Sequence, residues 1–544
     1  MGGTPAGRPG AEALLDVLRD WGVEKLFTCP GSTEAAVLDA LVTRKDVELV
    51  LTTHESVTVA MADGLARATG RPAVAYLHAN VGLTNGLSHL FAAQLAYSPV
   101  VVLNGMKASP IQARQGFTTT PRMRDLVHQY VKSDWQSLTT DGIPEDVNRA
   151  FRTAVTEPAG PVWLGLSQDL LEADVEVPLP DVDRYRFDSR TAPSPDAVRT
   201  AADLLAAASR PVLVAGSEVA RAGAIGALVR LSEQLGAPVL HEDRRGYERP
   251  GFPTDHPHFR GQYAVGHPVV QQADLLFFVG ARLFNEFERS TVAPLPADVP
   301  VVHSHTDPRH VAMIHGVAAG LVGDQGLLLQ ALSAALPASD PRDVPPAPPQ
   351  PSAPRRSVSG RRPTASDVVD VLAESLRGRT VVGDATTANG LLLQRAHQTT
   401  GDDFFTSTSG SLGWGMGAAL GVAMGQPGRQ VAAVLGDGVF QFGMPALWSA
   451  ARSGLPVTYV VLNNESFAAV GAALRRFDGQ AVAQGHFPGV DIAGPRIADI
   501  STGLGVPGQR VETLAELREC LEATRAVDSP VLVEVMTDPS EFGP

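Results

Sequence analysis

The chain is poor in the residues that mark several large classes of protein. Its 544 residues include only two cysteines, Cys29 and Cys520, which excludes a disulfide framework and a cysteine-based zinc site. No apolar run reaches the roughly 18 residues that a membrane-spanning helix needs. Acidic residues outnumber basic ones, and the formal net charge of −14 opposes binding to the phosphate backbone of a nucleic acid. The Gly- and Pro-rich segment 1–10 lacks the apolar core of a secretory signal, so we expect a cytoplasmic protein with small-molecule partners.

What the chain does contain is a regular alternation of helix and strand patterns, interrupted by proline-rich segments. Residues 337–363 include nine prolines and are typical of an extended linker. The length of 544 residues, with 44% apolar residues, fits three globular domains. We therefore predict an α/β fold of three doubly wound parallel-sheet domains, at 1–180, 190–336 and 364–544.

The predicted elements follow from the spacing of apolar residues. In the first domain the pattern predicts helices at 11–21, 34–42, 55–69 and 83–96 and strands at 26–27, 48–52, 73–77 and 100–103. In the second it predicts strands at 211–215, 275–279 and 301–304. In the third it predicts strands at 431–435 and 456–462, joined by a helix at 444–453.

Both of these third-domain strands end in a short polar motif. Gly436-Asp437-Gly438 ends the first strand, and Asn463-Asn464 ends the second. The connecting helix makes the strands parallel, which brings Asp437 and Asn464 to one edge of the sheet, where ligands bind in such sheets. A carboxylate and an amide oxygen there suit Mg²⁺ bound to a diphosphate, and Gly438 lets the backbone approach a phosphate. The alternative is that both motifs are only turns.

The spaced pair of motifs resembles the signature of thiamine diphosphate-dependent enzymes, and the similarity extends over almost the whole chain. It implies that the three domains are, in order, the pyrimidine-binding, central and diphosphate-binding domains. It also implies thiamine diphosphate and Mg²⁺ as cofactors, with Asp437, Asn464 and the Ser466 carbonyl as metal ligands. The residues that the resemblance places at the cofactor are Glu55, Thr386, Leu412, Gly436, Asp437, Gly438, Asn464, Ser466 and Phe467.

Three of these positions have a more specific expected role. In the family a glutamate at the place of Glu55 hydrogen-bonds the aminopyrimidine ring and controls its protonation. Leu412 matches a large aliphatic residue that bends the cofactor, and the Thr386 backbone matches a contact to the pyrimidine. Structural alternatives remain: Glu55 is also typical of the first turn of a helix, and Leu412 of helix packing.

A third cluster resembles the benzoylformate decarboxylase branch of the family. That branch carries a Pro-Gly-Ser loop, the glutamate and a Leu-His turn in this order, as do segment 29–34, Glu55 and segment 77–80 here. The resemblance implies that His78 is a general acid and base and that Ser32 binds the substrate carboxylate. The alternatives are a loop histidine satisfied by its neighbours and a serine that caps a helix.

The chain also departs from its relatives. A central-domain histidine of benzoylformate decarboxylases is missing, and Phe287 stands near its expected place. Segment 104–107, Asn-Gly-Met-Lys, lacks the adjacent histidine pair of pyruvate and indolepyruvate decarboxylases. The central domain shows no flavin signature, which weakens an assignment as acetolactate synthase.

The favoured function is thiamine diphosphate- and Mg²⁺-dependent decarboxylation of a 2-oxo acid to an aldehyde. A carboligase or synthase, which joins the decarboxylated fragment to a second carbonyl compound, uses the same residues and stays open as an alternative. A non-catalytic cofactor-binding protein is a more remote alternative, against which the presence of Glu55 argues. Because the family pairs the diphosphate clamp of one chain with the glutamate domain of its partner, we expect a homodimer or homotetramer.

Overall fold

The computed structural model describes residues 7–284, 293–337, 344 and 362–540. Phe287 and most of the predicted linker at 337–363 lie outside the described residues. The chain divides into two compact units, one of 1–189, 409–511 and 519–535, the other of 190–408, 512–518 and 536–544. In the described ranges no helix has the length and apolar character needed to cross a membrane.

The N-terminal part of the first unit alternates strand and helix. Its strands are β1 (Arg8–Pro9), β2 (Lys25–Cys29), β3 (Glu48–Leu51), β4 (Ala73–His78), β5 (Val100–Met106), β6 (Ser133–Gln136), β7 (Val162–Ser167) and β8 (Asp174–Val175). Its helices are α1 (Gly10–Asp20), α2 (Ala35–Thr43), α3 (Glu55–Thr69), α4 (Ala79–Leu95), α5 (Ser109–Ala113), α6 (Met123–Val127), α7 (Ile143–Val155) and α8 (Gln168–Glu172).

Six of these strands form a parallel sheet in the order β3-β2-β4-β5-β7-β6. The inner strands β2, β4, β5 and β7 are largely buried, as their apolar runs require. Cys29 pairs with Leu77, and His78 pairs with Gly105. The carboxyl ends of β2, β4 and β5 therefore meet at one edge of the sheet, where the candidate site residues lie.

The second unit contains the central six-stranded sheet. Its strands are β9 (Pro211–Ala215), β10 (Val239–His241), β11 (Phe259–Gln262), β12 (Leu275–Val279), β13 (Val301–His305) and β14 (Ala319–Val322), in the parallel order β11-β10-β9-β12-β13-β14. Its helices are α9 (Pro195–Ala207), α10 (Ser217–Arg221), α11 (Ile225–Leu235), α12 (Pro268–Gln271) and α13 (Gln325–Ala335).

The third six-stranded sheet is formed by the C-terminal part of the chain. Its strands are β15 (Thr380–Asp384), β16 (Phe404–Thr406), β17 (Val431–Gly436), β18 (Val457–Asn463), β19 (Gly508–Val511) and β20 (Val531–Met536). The helices of this part are α14 (Ala365–Ser375), α15 (Asn389–Arg395), α16 (Trp414–Gly425), α17 (Asp437–Gly443), α18 (Pro445–Ser453), α19 (Ala468–Phe477), α20 (Gln480–Gln484), α21 (Ile497–Gly503) and α22 (Leu514–Ala523). The three sheets confirm the predicted α/β fold class, whereas the predicted domain boundaries stay predictions.

Most predicted elements in these domains correspond to observed ones, and the differences have local causes. Helix α4 starts at Ala79 rather than at 83, because Ala79 adopts a φ of 47° that turns the chain from strand to helix without a loop. A helix that the sequence pattern does not predict follows β17. Helix α17 starts at Asp437 itself, where an acidic side chain is favourable, and α18 follows after Met444 with Pro445 as its first residue.

In the central sheet, the crevice where the strand order reverses is filled by the protein itself. Open parallel sheets bind ligands at this point, between the carboxyl ends of β9 and β12. A Cβ added to Gly216 would lie only 2.1 Å from the Gly280 carbonyl oxygen. The Glu242 carboxylate accepts hydrogen bonds from the Ser217 backbone N (2.6 Å) and Oγ (2.7 Å) at the start of α10. A side-chain carboxylate thus occupies the position that a ligand phosphate takes at a helix start.

Glu242→Gln is expected to flatten the pH dependence of stability. Burial raises the pKa of the Glu242 carboxyl from 4.5 to about 7, although hydrogen bonds from Ser217 oppose the rise. A raised folded-state pKa means that the stabilisation is complete below the unfolded pKa and is lost as pH rises through the folded one. Glutamine accepts the same hydrogen bonds without a charge. The Tm of Glu242→Gln minus the Tm of the wild type should therefore increase between about pH 5 and pH 8.

The control is Glu24→Gln, which removes a negative charge at an exposed position. Its Tm should follow the wild type across the same pH range. Parallel Tm curves for wild type and Glu242→Gln would contradict the assignment of this titration to Glu242.

Candidate active site

The structure brings Asp437 and Asn464 together, as their positions in the sequence predict. Asp437 starts α17 after β17, and Asn464 follows β18. The Ser466 backbone N donates to both side chains, to Asp437 Oδ2 at 3.3 Å and to Asn464 Oδ1 at 3.1 Å. The Gly438 backbone N donates to Asp437 Oδ1 at 2.7 Å. The carboxylate is therefore buried and oriented by backbone donors from both motifs.

The loop that carries these groups is held in an unusual conformation. Glu465 lies in the left-handed region, with a φ of 58°. Asn463 holds it there by accepting from the Glu465 backbone N at 3.0 Å and donating to buried Glu534 at 2.7 Å. Strain of this kind persists only where surrounding contacts impose it, and it is concentrated at functional sites.

The buried Gly438, which follows Asp437, lies directly against the Phe467 ring. A Cβ at Gly438 would lie 2.6 Å from the Phe467 ring. Phe467 therefore packs directly on the start of α17. This contact packs the residues after Asn464 directly against the Gly-Asp-Gly motif.

The donor set fits a hard cation. Burial raises the pKa of Asp437 to about 6, although hydrogen bonds from Gly438 and segment 464–466 lower it, so the buried carboxylate gains from a cation partner. Carboxylate, amide and carbonyl oxygens are the ligands that Mg²⁺ prefers. In the described part of the chain no cluster of three or more His, Cys, Asp or Glu side chains is arranged to hold a metal. A cation at Asp437 would therefore depend on one carboxylate, neutral oxygens and the oxygens of its own ligand.

Glu55 starts helix α3 and is largely buried, with 9% exposure. The Asn85 side chain in α4 donates to Glu55 Oε2 at 3.0 Å. A Cβ at Gly82 would lie 3.0 Å from Oε1, so the glycine leaves that oxygen uncrowded. One carboxylate oxygen is thus fixed by Asn85, and the other lies beside Gly82. Sequence reasoning missed Asn85, because only the fold brings it to Glu55, 30 residues earlier in the chain.

His89, also missed from the sequence, connects the helix of Glu55 to the segment of Leu412. Its ring lies between two carbonyl oxygens, with Nδ1 2.8 Å from Ser56 O and Nε2 3.3 Å from Leu412 O. Burial lowers the pKa of His89, although the two carbonyl contacts oppose this, and a neutral ring donates a hydrogen bond to only one of the two carbonyls. Leu412 itself is partly exposed, two residues before α16 begins. Its predicted contact with a cofactor stays a prediction.

His78 belongs to a hydrogen-bonded cluster at the carboxyl end of β4. Its Nδ1 lies 2.8 Å from Thr33 Oγ1 and 3.0 Å from Glu34 Oε2. Glu34 is fully buried and also accepts from the Gly31 backbone N at 2.6 Å. An ionised Glu34 places the proton on Nδ1 and leaves Nε2 for a reactant. The sequence motif at 29–34 contains Glu34 but does not indicate a role for it, and only the fold shows that it orients His78.

Ser32 is exposed beside this cluster and accepts a hydrogen bond from Lys107 Nζ at 3.0 Å. It does not cap α2, whose N-terminal neighbour is Glu34, so the helix-cap alternative for Ser32 is wrong.

Thr386 belongs to the other compact unit and follows β15 with a φ of 47°. That conformation is unusual for a β-branched residue and indicates a constrained backbone at this predicted contact position.

Comparison with known proteins now places the chain in a class. It matches the thiamine pyrophosphate enzyme N-terminal TPP binding domain over 8–126, the central domain over 198–332 and the C-terminal TPP binding domain over 384–535. The chain therefore belongs to the thiamine pyrophosphate enzyme family and is an enzyme of its decarboxylase and acetolactate synthase group.

Within the family the chain is similar to two kinds of enzyme. It is 31% identical to a benzoylformate decarboxylase of Pseudomonas aeruginosa, over 97% of this chain and 99% of the relative. It is 29% identical to a putative acetolactate synthase large subunit of Mycobacterium tuberculosis, over 98% of this chain and 100% of the relative. The crystal structure of a benzoylformate decarboxylase from Polynucleobacter necessarius superposes with a TM-score of 0.89, at 27% identity, covering 98% of this chain and 99% of that one.

Gly31→Ala is expected to displace the His78 ring. The new Cβ would lie 2.4 Å from Nδ1, whereas the backbone at Gly31, with a φ of −129°, accepts alanine without strain. Loss of the bond to Glu34 should be visible in a crystal structure. Turnover should fall by about 10²-fold, the usual effect of a catalytic group misplaced by an ångström. Gly503→Ala, where a Cβ meets nothing within 4 Å, is the matched control.

Proposed function

We propose that this protein catalyses the thiamine diphosphate- and Mg²⁺-dependent decarboxylation of a 2-oxo acid to an aldehyde. The observation that carries the proposal is the pair of His78 and buried Glu34 at the sheet edge, beside Ser32. A proton donor and acceptor is needed when the product is protonated and released. The likeness to benzoylformate decarboxylases in both sequence and structure supports the same assignment.

In this proposal the third domain holds the cofactor. Asp437, Asn464 and the Ser466 carbonyl would hold Mg²⁺, Gly436 and Gly438 would lie beside the diphosphate, and Phe467 would line the pocket. Leu412 and the Thr386 backbone contact the rings. When bound, thiamine diphosphate supplies an electron sink for the pair of electrons left by the departing carboxyl group.

The remaining steps belong to side chains of the first domain. Glu55 holds a proton at the aminopyrimidine ring, with its Oε2 kept in place by Asn85. His78 gives and takes protons through Nε2, because Glu34 engages its Nδ1. Ser32 binds the substrate carboxylate. Each of these groups lies in one compact unit of the chain.

A carboligase remains the second candidate. It needs the same groups, but the decarboxylated fragment adds to a second carbonyl compound instead of being protonated. The likeness to an acetolactate synthase large subunit favours it, as does Phe287 in place of a second histidine that would supply protons. In the central domain, the Glu242 carboxylate occupies the helix start in the crevice of the sheet, where the phosphate of a flavin nucleotide would otherwise bind. This weakens the assignment as a flavin-containing synthase. We therefore rank decarboxylation first.

The experiment that tests the proposal is product analysis with a panel of aromatic and aliphatic 2-oxo acids, with and without acceptor aldehydes. Decarboxylation predicts aldehyde and carbon dioxide, and carboligation predicts a 2-hydroxy ketone.

Glu55→Gln should slow hydrogen–deuterium exchange at the thiazolium carbon by orders of magnitude while Mg²⁺ and diphosphate binding persist, because an amide does not accept the ring proton. Wild-type exchange in this variant would remove Glu55 from the mechanism.

Asp437→Ala is expected to abolish retention of thiamine diphosphate with Mg²⁺, and Asn464→Ala to weaken it less, since water replaces a neutral ligand. Because a metal ligand must be deprotonated and the pKa of Asp437 is about 6, wild-type affinity should fall below that pH and level off above it. Calorimetric titration across the pH range measures both effects. Cofactor affinity that is unchanged in Asp437→Ala would exclude this clamp.

We also propose a homodimer or homotetramer. Large apolar side chains are exposed on the helices that follow the clamp residues, among them Phe442 (59% exposed) at the end of α17 and Phe477 (82% exposed) at the end of α19. A partner subunit would cover such groups. Light scattering on the same samples gives the mass, and an active monomer would contradict the assembly.

A further inference from the structure

One cation at the candidate site has no assigned role. Lys107 follows the end of β5, two residues after Gly105, which pairs with His78 in the sheet. Its backbone is fixed by Gln112, whose side chain donates to the Lys107 carbonyl and to Ser167 Oγ. Its ammonium group reaches across the sheet edge to Ser32 Oγ at 3.0 Å. Lys107 thus stands beside the residue expected to bind the substrate carboxylate.

The charge of Lys107 is not neutralised by its neighbours. Within the described residues no ion pair joins it to a carboxylate, and its side-chain partner is the neutral Ser32 hydroxyl. The nearby carboxylates have other partners: Glu34 binds His78, Thr33 and the Gly31 backbone, and Asp169 binds Ser109. The protein has a net charge of −14, so a cation without a carboxylate partner at a ligand-binding edge is unusual, and its charge favours binding of an anionic ligand there.

We propose that Lys107 and Ser32 together bind the carboxylate of the 2-oxo acid, and that Lys107 determines specificity for an anionic over a neutral carbonyl compound. The inference rests on the proposed function and specifies the substrate class of the same site. The ammonium group supplies a charge-assisted hydrogen bond, and the Ser32 hydroxyl supplies a second donor to the same group. Lys107 is a substrate-binding residue and takes no proton from the reactants.

The charge chemistry predicts how Lys107 affects the kinetics. The carboxylate charge moves away from the carboxyl group as carbon dioxide leaves, so a cation beside it stabilises the bound substrate at least as well as the transition state. Binding of this kind lowers KM without raising kcat. Lys107→Met should therefore raise KM for 2-oxo acids by about 10- to 100-fold, the usual range for a hydrogen bond to a charged group. The value of kcat should stay within a few-fold of wild type.

A binding measurement separates charge from shape. Mandelate carries the carboxylate but no ketone, and mandelamide has the same shape without the charge. With the holoenzyme, calorimetry should show tighter binding of mandelate than of mandelamide. Lys107→Met should remove most of this preference and leave mandelamide affinity unchanged. Lys107→Arg should retain the preference, and Ser32→Ala should reduce it by less than Lys107→Met does. Exposed Lys45→Met controls for the loss of one positive charge.

The outcomes distinguish this inference from the proposed function. If the wild type turns over 2-oxo acids and Lys107→Met keeps the wild-type KM and mandelate preference, the role of Lys107 is wrong and the decarboxylase assignment stands. If the wild type turns over no 2-oxo acid, the proposed function fails, and the mandelate and mandelamide pair still decides whether Lys107 binds a carboxylate. An equal loss of affinity for both compounds in Lys107→Met would overturn the inference, because it would indicate a general disturbance of the site.

Discussion

The candidate site depends on the direct contact between helices α3 and α16. Their backbones approach through glycines: a Cβ at Gly64 would lie 2.2 Å from the Ala418 carbonyl oxygen, and one at Gly421 would lie 2.0 Å from that of Met61. At this distance any larger side chain would separate the helices. Because α3 begins with Glu55 and α16 follows Leu412, the contact fixes the positions of both residues within the first unit. The same interface buries the Asp63 carboxylate, which accepts from Trp414 Nε1 and pairs with Arg67, both at 2.8 Å.

Elsewhere in the site, each buried carboxylate also has a partner that fixes its orientation. Glu34 binds His78, Glu55 binds Asn85, and Asp437 accepts from backbone donors. Buried charges are tolerated when their hydrogen bonds are satisfied, and a satisfied charge is also an oriented one. Lys107 differs from these groups, because its only polar side-chain contact is a neutral hydroxyl in the described structure. This contrast is the physical reason to assign it to the substrate rather than to the fold.

Backbone strain marks the same places. Ala79 after His78, Thr386 after β15 and Glu465 between Asn464 and Ser466 are all non-glycine residues with positive φ. Each follows the carboxyl end of a parallel strand within a few residues. Such conformations cost about 1–3 kcal/mol each and persist where the surrounding contacts impose them. Three of the eight non-glycine residues with positive φ in the described structure thus lie in predicted site segments.

The sequence by itself determined the α/β class, the parallel strands and the meeting of Asp437 with Asn464, because strand periodicity and βαβ connectivity are local properties of the chain. It also indicated the family, through motifs whose spacing reflects that local geometry. It did not reveal that Glu34 orients His78, that Asn85 holds Glu55, or that Lys107 reaches Ser32. These pairs are 30 to 75 residues apart in the chain. Only the alignment of strand ends and the packing of helices brings them within hydrogen-bonding distance, so tertiary structure alone decided them.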